Sequence, residues 1–153
     1  MILPNFKVFK TNGRLLALDW GARRTGVAVS GLGGEFVFAR PVINIKQYSH
    51  DWLADRIVEI ANNENVSGIV IGLPLRTDGT ESETTAMVRE FANVLGAKTD
   101  LPLVFLDETL TSATAMEQMG RATFDDIKRE LDSNSACVIL ENAISLMKRN
   151  EIC

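Results

Sequence analysis

Apolar residues recur along this chain with two different periods, and the alternation between them lays out the elements. Residues 15–30 (LLALDWGARRTGVAVS) hold an aliphatic run that ends at Asp19, turns over Gly21-Ala22-Arg23-Arg24 and resumes as Thr25-Gly26-Val27-Ala28-Val29. That pattern predicts a hairpin of two largely buried strands. Residues 35–45 alternate weakly around Pro41, which predicts a third strand at or near a sheet edge. Leu53, Ile57, Ile60 and Ala61 keep helical spacing over residues 51–63, with Asn62-Asn63 as the stop. Residues 66–72 (VSGIVIG) are a short continuous apolar run, the mark of a strand covered on both faces.

The second half continues the alternation. Residues 73–80 carry Pro and Asp-Gly punctuation and read as a loop, with Thr80 and Glu83 as a capping box for a helix whose stripe is Met87, Phe91, Val94 and Leu95. Residues 103–106 form another buried strand and run straight into Asp107-Glu108. Thr111 or Ser112 is positioned to cap a short helix through Ala115, Met116 and Met119 to Gly120. A last helix is expected from about Thr123, with Asp126 completing its cap, to about Lys148. The order predicts one α/β domain over residues 14–150, a five-stranded mixed sheet with helices packed on it, preceded by a loosely attached extension at 1–13.

Composition narrows the class. With 153 residues and 46% hydrophobic content, the chain is long enough for a sizeable core. No apolar run approaches a membrane span, Met1-Ile2-Leu3-Pro4-Asn5 lacks a signal-peptide core, and the two cysteines have no metal-type spacing; a cytoplasmic protein that engages no membrane is expected. The net charge of -4 hides an asymmetry. Residues 1–50 hold seven Lys/Arg against two Asp/Glu, whereas the rest hold nine against eighteen, which permits a basic face for a polyanion as readily as an uneven solvated surface.

The candidate chemistry is carboxylate chemistry. Asp19 stands at the interior end of a buried strand, where a charge is costly unless a cation or donors compensate it; an Asp bonded into the turn backbone is the competing reading. Glu108 lies just past the last strand. Asp132 heads the stripe Ala136, Ile139, Ala143, Leu146 of the final helix, although an acid near a helix start is also favoured by the helix dipole alone. Three carboxylates from separate elements match hard divalent cations, Mg²⁺ or Mn²⁺, such as the pairs of ions that serve phosphodiester hydrolysis. The single histidine, His50, near a helix start, reads as a surface residue rather than a ligand.

In order along the chain, Asp19-Trp20-Gly21-Ala22-Arg23-Arg24-Thr25-Gly26-Val27-Ala28, Ile71-Gly72-Leu73-Pro74-Leu75 with Asp78-Gly79-Thr80, Asp107-Glu108 with Leu110-Thr111, and Asp132, Ala136 and Val138-Ile139-Leu140 resemble the motif blocks of the YqgF/RuvX family. The resemblance covers about residues 14–147. It implies a ribonuclease-H-like fold, similarity to Holliday-junction resolvases, and an endonuclease of pre-16S ribosomal RNA 5′-end maturation. It further implies Asp19, Glu108 and Asp132 as the catalytic, metal-binding acids for two Mg²⁺ or Mn²⁺ ions. Arg23, Arg24 and Arg76 are the candidate phosphate contacts, with Asp78 and Asp107 as secondary acids: Asp78 reads first as an ordinary turn residue, and alternation points Asp107 away from Glu108. The chain departs from the family pattern at Thr109, where an arginine is common, and in the mixed-charge segment before Asp132. The expected partner is nucleic acid, precursor rRNA first and a four-way DNA junction as the rival, with the protein a monomer or homodimer. A nucleotide-binding actin-like domain and a non-catalytic RNA-binding assembly factor are the readings from other classes.

Overall fold

The computed structural model describes residues 2–6, 9, 13–31, 36–108 and 135–148. Five strands, β1 (Arg14–Asp19), β2 (Arg24–Ser30), β3 (Val37–Asn44), β4 (Val66–Leu73) and β5 (Leu103–Asp107), form one sheet in the order β3-β2-β1-β4-β5. The β3-β2-β1 meander is antiparallel, and β1, β4 and β5 run parallel. The C-terminal ends of β1, β4 and β5 therefore lie together at one end of the sheet. Helices α1 (His50–Glu64) and α2 (Glu83–Lys98) supply the crossovers, and a third helix, α3, is described over residues 135–148.

Period-2 alternation divides each strand between two cores. Leu16, Leu18, Val27, Val29, Ile69 and Ile71 pack with Leu53, Ile57, Phe91 and Leu95 of α1 and α2. Leu15, Ala17, Ala28, Val70, Val104 and Leu106 face the opposite way, onto Ala136, Ile139, Leu140 and Ala143 of α3. Small residues contribute to that second contact from both sides, Ala17 and Ala28 from the sheet and Ala136 and Ala143 from α3. The proline-bearing third strand is indeed an edge strand.

Several boundaries differ from the sequence expectation. Helix α1 passes Asn62-Asn63 and ends at Glu64, because Asn65 takes the left-handed conformation (φ 54°) and its N–H donates to the carbonyls of Ala61 and Asn62. The cap of α2 is Ser82 rather than Thr80: the Ser82 hydroxyl accepts from Thr85 N, and the Thr85 hydroxyl answers to Ser82 N at 2.9 Å. Thr80 is engaged instead by Asp78. With the helix so anchored, Val88, Phe91, Ala92 and Leu95 form the buried stripe, while Met87 turns outward and Val94 is half-buried.

The first residues are also more firmly held than a loose extension. Ile2 bridges in parallel to Leu103 at the β5 edge, Leu3 N donates to Leu103 O at 2.7 Å, and Phe9 is buried against Gly68, whose missing side chain leaves room for the ring. The expected short helix near 112–120 and the start of the last helix, with Asp126, lie outside the described residues. No described helix is long and apolar enough to cross a membrane.

Candidate metal centre

The site grows out of the sheet register. Ala17, Val70 and Val104 share one rung and Leu18, Ile71 and Phe105 the next, so the following rung sets Asp19 beside Gly72 and Leu106 on the face covered by α3. Across β1 on the other side, Asp19 pairs with Gly26. Glycines thus flank the aspartate on both sides, and the carboxylate end of β1 is half-buried, with no β-carbon on either neighbouring strand position.

Glu108 approaches from the β5 side. Its N–H donates to Leu73 O at 3.1 Å, extending the β4–β5 ladder one step past the strand, and alternation from Val104 and Leu106 turns its side chain toward α3. The carboxyl group then lies across Gly72. A β-carbon added there would stand 2.9 Å from both Glu108 Cδ and Oε1, and 2.6 Å from Ile139 Cδ1. Gly72 is therefore the seat of the glutamate, and Ile139 of α3 closes over it. The sequence offers the signal in the period of VSGIVIG, which puts Gly68 and Gly72 on one face. What each glycine clears space for is invisible until β5 and α3 are docked.

Burial first, and the charge of Asp19 second, push the Glu108 carboxyl up to about 8. Two acids from different strands are thus held close enough to oppose each other's ionisation. Asp132 lies outside the described residues, and among those described no group of three His, Cys, Asp or Glu side chains gathers in one place.

The secondary acids separate from this pair. Asp107 is exposed and, as alternation predicts, projects to the α2 side, where its charge acts on Arg89. Asp78 is exposed in the turn after β4; its Oδ1 accepts from Thr80 N at 3.0 Å and from the Thr80 hydroxyl at 2.6 Å, which holds its pKa below the ordinary range. Gly79 beside it has φ 83°, and Asp78 is the side-chain acceptor of an ordinary tight turn.

The arginines surround the same end of the sheet. Arg23 and Arg24 occupy the β1–β2 turn, whose tightness requires glycine at 21, since a β-carbon there would come within 2.3 Å of Arg24 O. Arg23 is exposed and Arg24 half-exposed. Arg76 is exposed on the loop after β4, its backbone closing the turn with Thr80. His50 is not a plain surface residue: half-buried, it bonds the Tyr48 hydroxyl through Nδ1 and sets Nε2 3.5 Å from Glu90. The Tyr48 hydroxyl in turn accepts from the Trp20 indole N–H at 2.9 Å, which fixes the residue next to Asp19.

The chain is similar to known proteins over most of its length. The family model RuvX, "Holliday junction resolvase", matches residues 13–146. A protein of Maridesulfovibrio salexigens named "Putative pre-16S rRNA nuclease" is 39% identical over 130 residues, 84% of this chain and 95% of the relative. One of Orientia tsutsugamushi with the same name is 37% identical over 145 residues, 90% and 87% of the two chains. Among solved structures, T. thermophilus RuvC in complex with a Holliday junction substrate superposes with a TM-score of 0.57 over 90% of this chain and 97% of that one, at 11% identity, a likeness of fold. A second structure of Thermus thermophilus RuvC gives 0.53.

Proposed function

The chain belongs to the RuvX family, and from that premise we propose that it is a metal-dependent endonuclease that cleaves precursor 16S ribosomal RNA near its 5′ end. The observation that carries the reading is the seating of Glu108 across Gly72 beside Asp19 at the C-terminal end of a parallel β1–β4–β5 core. A purely structural acid has no reason to be buried next to another acid. A site for a hard cation does, because the cation's charge is what allows both carboxylates to ionise together.

The donor set fits Mg²⁺ or Mn²⁺: carboxylate oxygens, with no described sulfur or imidazole beside them. Asp19 and Glu108 would hold the metal, and Asp132, at the head of the apolar stripe that includes Ala136 and Ile139, is proposed as the third ligand. A bound divalent ion in such a site supplies charge stabilisation at phosphate oxygens and acidifies a water molecule. Arg23, Arg24 and Arg76 are proposed to hold the flanking phosphates, fixing the register of the backbone without reading bases. Tethering of Trp20 by Tyr48, and the tight Gly21 turn, keep Asp19 and the two arginines in one arrangement.

Asp19→Asn tests the assignment. The variant is expected to lose Mn²⁺-dependent cleavage of a precursor 5′-end RNA by at least ~100-fold while keeping its fold and a melting temperature at or above that of the wild type, since removing one charge relieves repulsion in the metal-free site. Cleavage equal to wild type would refute the assignment.

The likeness of fold to RuvC bound to a junction supports a second reading, resolution of four-way DNA junctions. A resolvase matches the two-fold symmetry of its substrate as a symmetric dimer. Junction and precursor RNA assayed at the same salt concentration distinguish the two, because backbone affinity falls steeply with salt for both.

A further inference from the structure

The β3 edge carries an aromatic and cationic surface that the metal site does not use. Trp52, in the first turn of α1, leaves 44% of its surface exposed. It stands between two openings that share Asn44 and Trp52. One, of about 640 Å³, descends between β3 and α1 past Arg40 and Arg56; the other, of about 310 Å³, leads over Lys46 and Gln47.

This groove begins at the catalytic end of the sheet. Strands β1 and β3 both run antiparallel to β2, so the Asn44 end of β3 and the Asp19 end of β1 point the same way. Arg24 pairs with Asn44 in the ladder, and Ile45 N donates to Arg23 O at 2.9 Å, joining the arginine turn to the head of the groove. Two strand spacings, about 10 Å, separate β1 from β3.

The charges are graded along it. Arg23 and Lys46, at the upper end, are exposed and form no ion pair among the described residues, whereas Arg40 lower down is held by Glu64 at 2.9 and 3.0 Å and Arg56 by Glu59 at 2.9 Å. The acids Asp51 and Asp55, flanking Trp52 in α1, are drawn away from the groove to Lys98 of α2, at 3.4 and 3.0 Å.

Exposed cations leading from the proposed phosphate-cleaving centre to an exposed indole are the two parts of a single-strand binding track: charges follow the backbone and an aromatic face stacks a base whatever its identity. We propose that this groove seats a single-stranded nucleic-acid segment flanking the scissile phosphate, with phosphates at Arg23 and Lys46 and a base on Trp52. The inference deepens the nuclease reading and rests on it: the substrate is a strand with an unpaired flank rather than a continuous duplex.

The test uses the whole protein in EDTA, where binding is read without cleavage, so that failure of the track and failure of the nuclease assignment show separately. A short single-stranded oligoribonucleotide is expected to quench tryptophan emission, and its duplex to do so far less. Single-stranded DNA is expected to behave as the RNA does, since stacking is indifferent to the sugar. Trp52→Ala is expected to weaken single-strand binding about tenfold, with Trp52→Phe retaining most of the affinity while removing the quench. Lys46→Ala is expected to lower the slope of log affinity against log salt by about one. The proposal is overturned if wild type shows no single-strand binding, if duplex and single strand bind alike, or if folded Trp52→Ala binds as wild type. It is equally overturned if Trp52→Ala alters only self-association in sedimentation, which would make the groove a contact between copies of this chain.

Discussion

Replacing Glu108 by glutamine offers the sharpest test of how the two acids are held. A glutamate in an unfolded chain gives up its proton near 4.5, whereas in the folded protein burial and Asp19 hold the proton to about 8. Between those values the native state binds one more proton than the unfolded state. The stability this contributes is complete below about pH 4.5 and is lost as the pH rises through about 8. At about 1.4 kcal/mol per tenfold change in acidity, the interval sets a ceiling of about 5 kcal/mol. The repulsion belongs to the pair and Glu108 keeps some contact with water, so the expected loss is about 2–3 kcal/mol between pH 5 and pH 9.

Glutamine has nearly the same shape and never ionises. In EDTA, urea unfolding followed by tryptophan emission should give equal stabilities for wild type and Glu108→Gln at pH 5, and a variant more stable by about 2 kcal/mol at pH 9. Mn²⁺ should reverse the order. Wild type gains stability with metal concentration, about 2.7 kcal/mol at a hundred times the dissociation constant, and the variant gains little. Parallel pH curves for the two proteins would show that Glu108 carries no extra proton in the fold and would refute the account of the site.

The other predictions follow from single contacts. Gly72→Ala drives a β-carbon into Ile139 and the Glu108 carboxyl; it should cost about 1–3 kcal/mol and weaken Mn²⁺ binding, measured by calorimetry, where a well-packed glycine of no functional consequence would cost stability only. Asp78→Ala and Asp107→Asn should leave metal affinity within about twofold of wild type, because one acid serves the Thr80 turn and the other faces α2; a tenfold loss by either would place it in the metal site. Ser82→Ala removes the α2 cap and should lower stability by about 1 kcal/mol in urea melts with cleavage rate preserved.

A good deal of this protein was legible from its residues one at a time. The hairpin around Asp19, the buried β4 run, the edge position of the proline-bearing strand and the opposite facing of Asp107 and Glu108 all follow from period and turn chemistry, which act over a few residues. The cap of α2 lies two residues beyond the one its sequence pattern suggests. Thr80 and Ser82 are both competent hydroxyls, and what separates them is that Asp78 engages the first in its turn while Thr85, which also donates to the Pro74 carbonyl, completes a reciprocal pair with the second.

The sequence by itself determined which acids are available and which face of each strand they occupy, because alternation is a local property of the backbone. Only the tertiary structure decided that Gly72 is the floor on which Glu108 lies, that Phe9 fills the matching space at Gly68 and binds the first residues to the sheet, and that Trp52 opens a groove toward the arginine turn. Those facts depend on the register between strands far apart in the chain and on how closely α3 docks. A glycine in a buried run records that something approaches the backbone there; its identity comes from the neighbouring strand and helix, and here it is the Glu108 carboxylate beside Asp19.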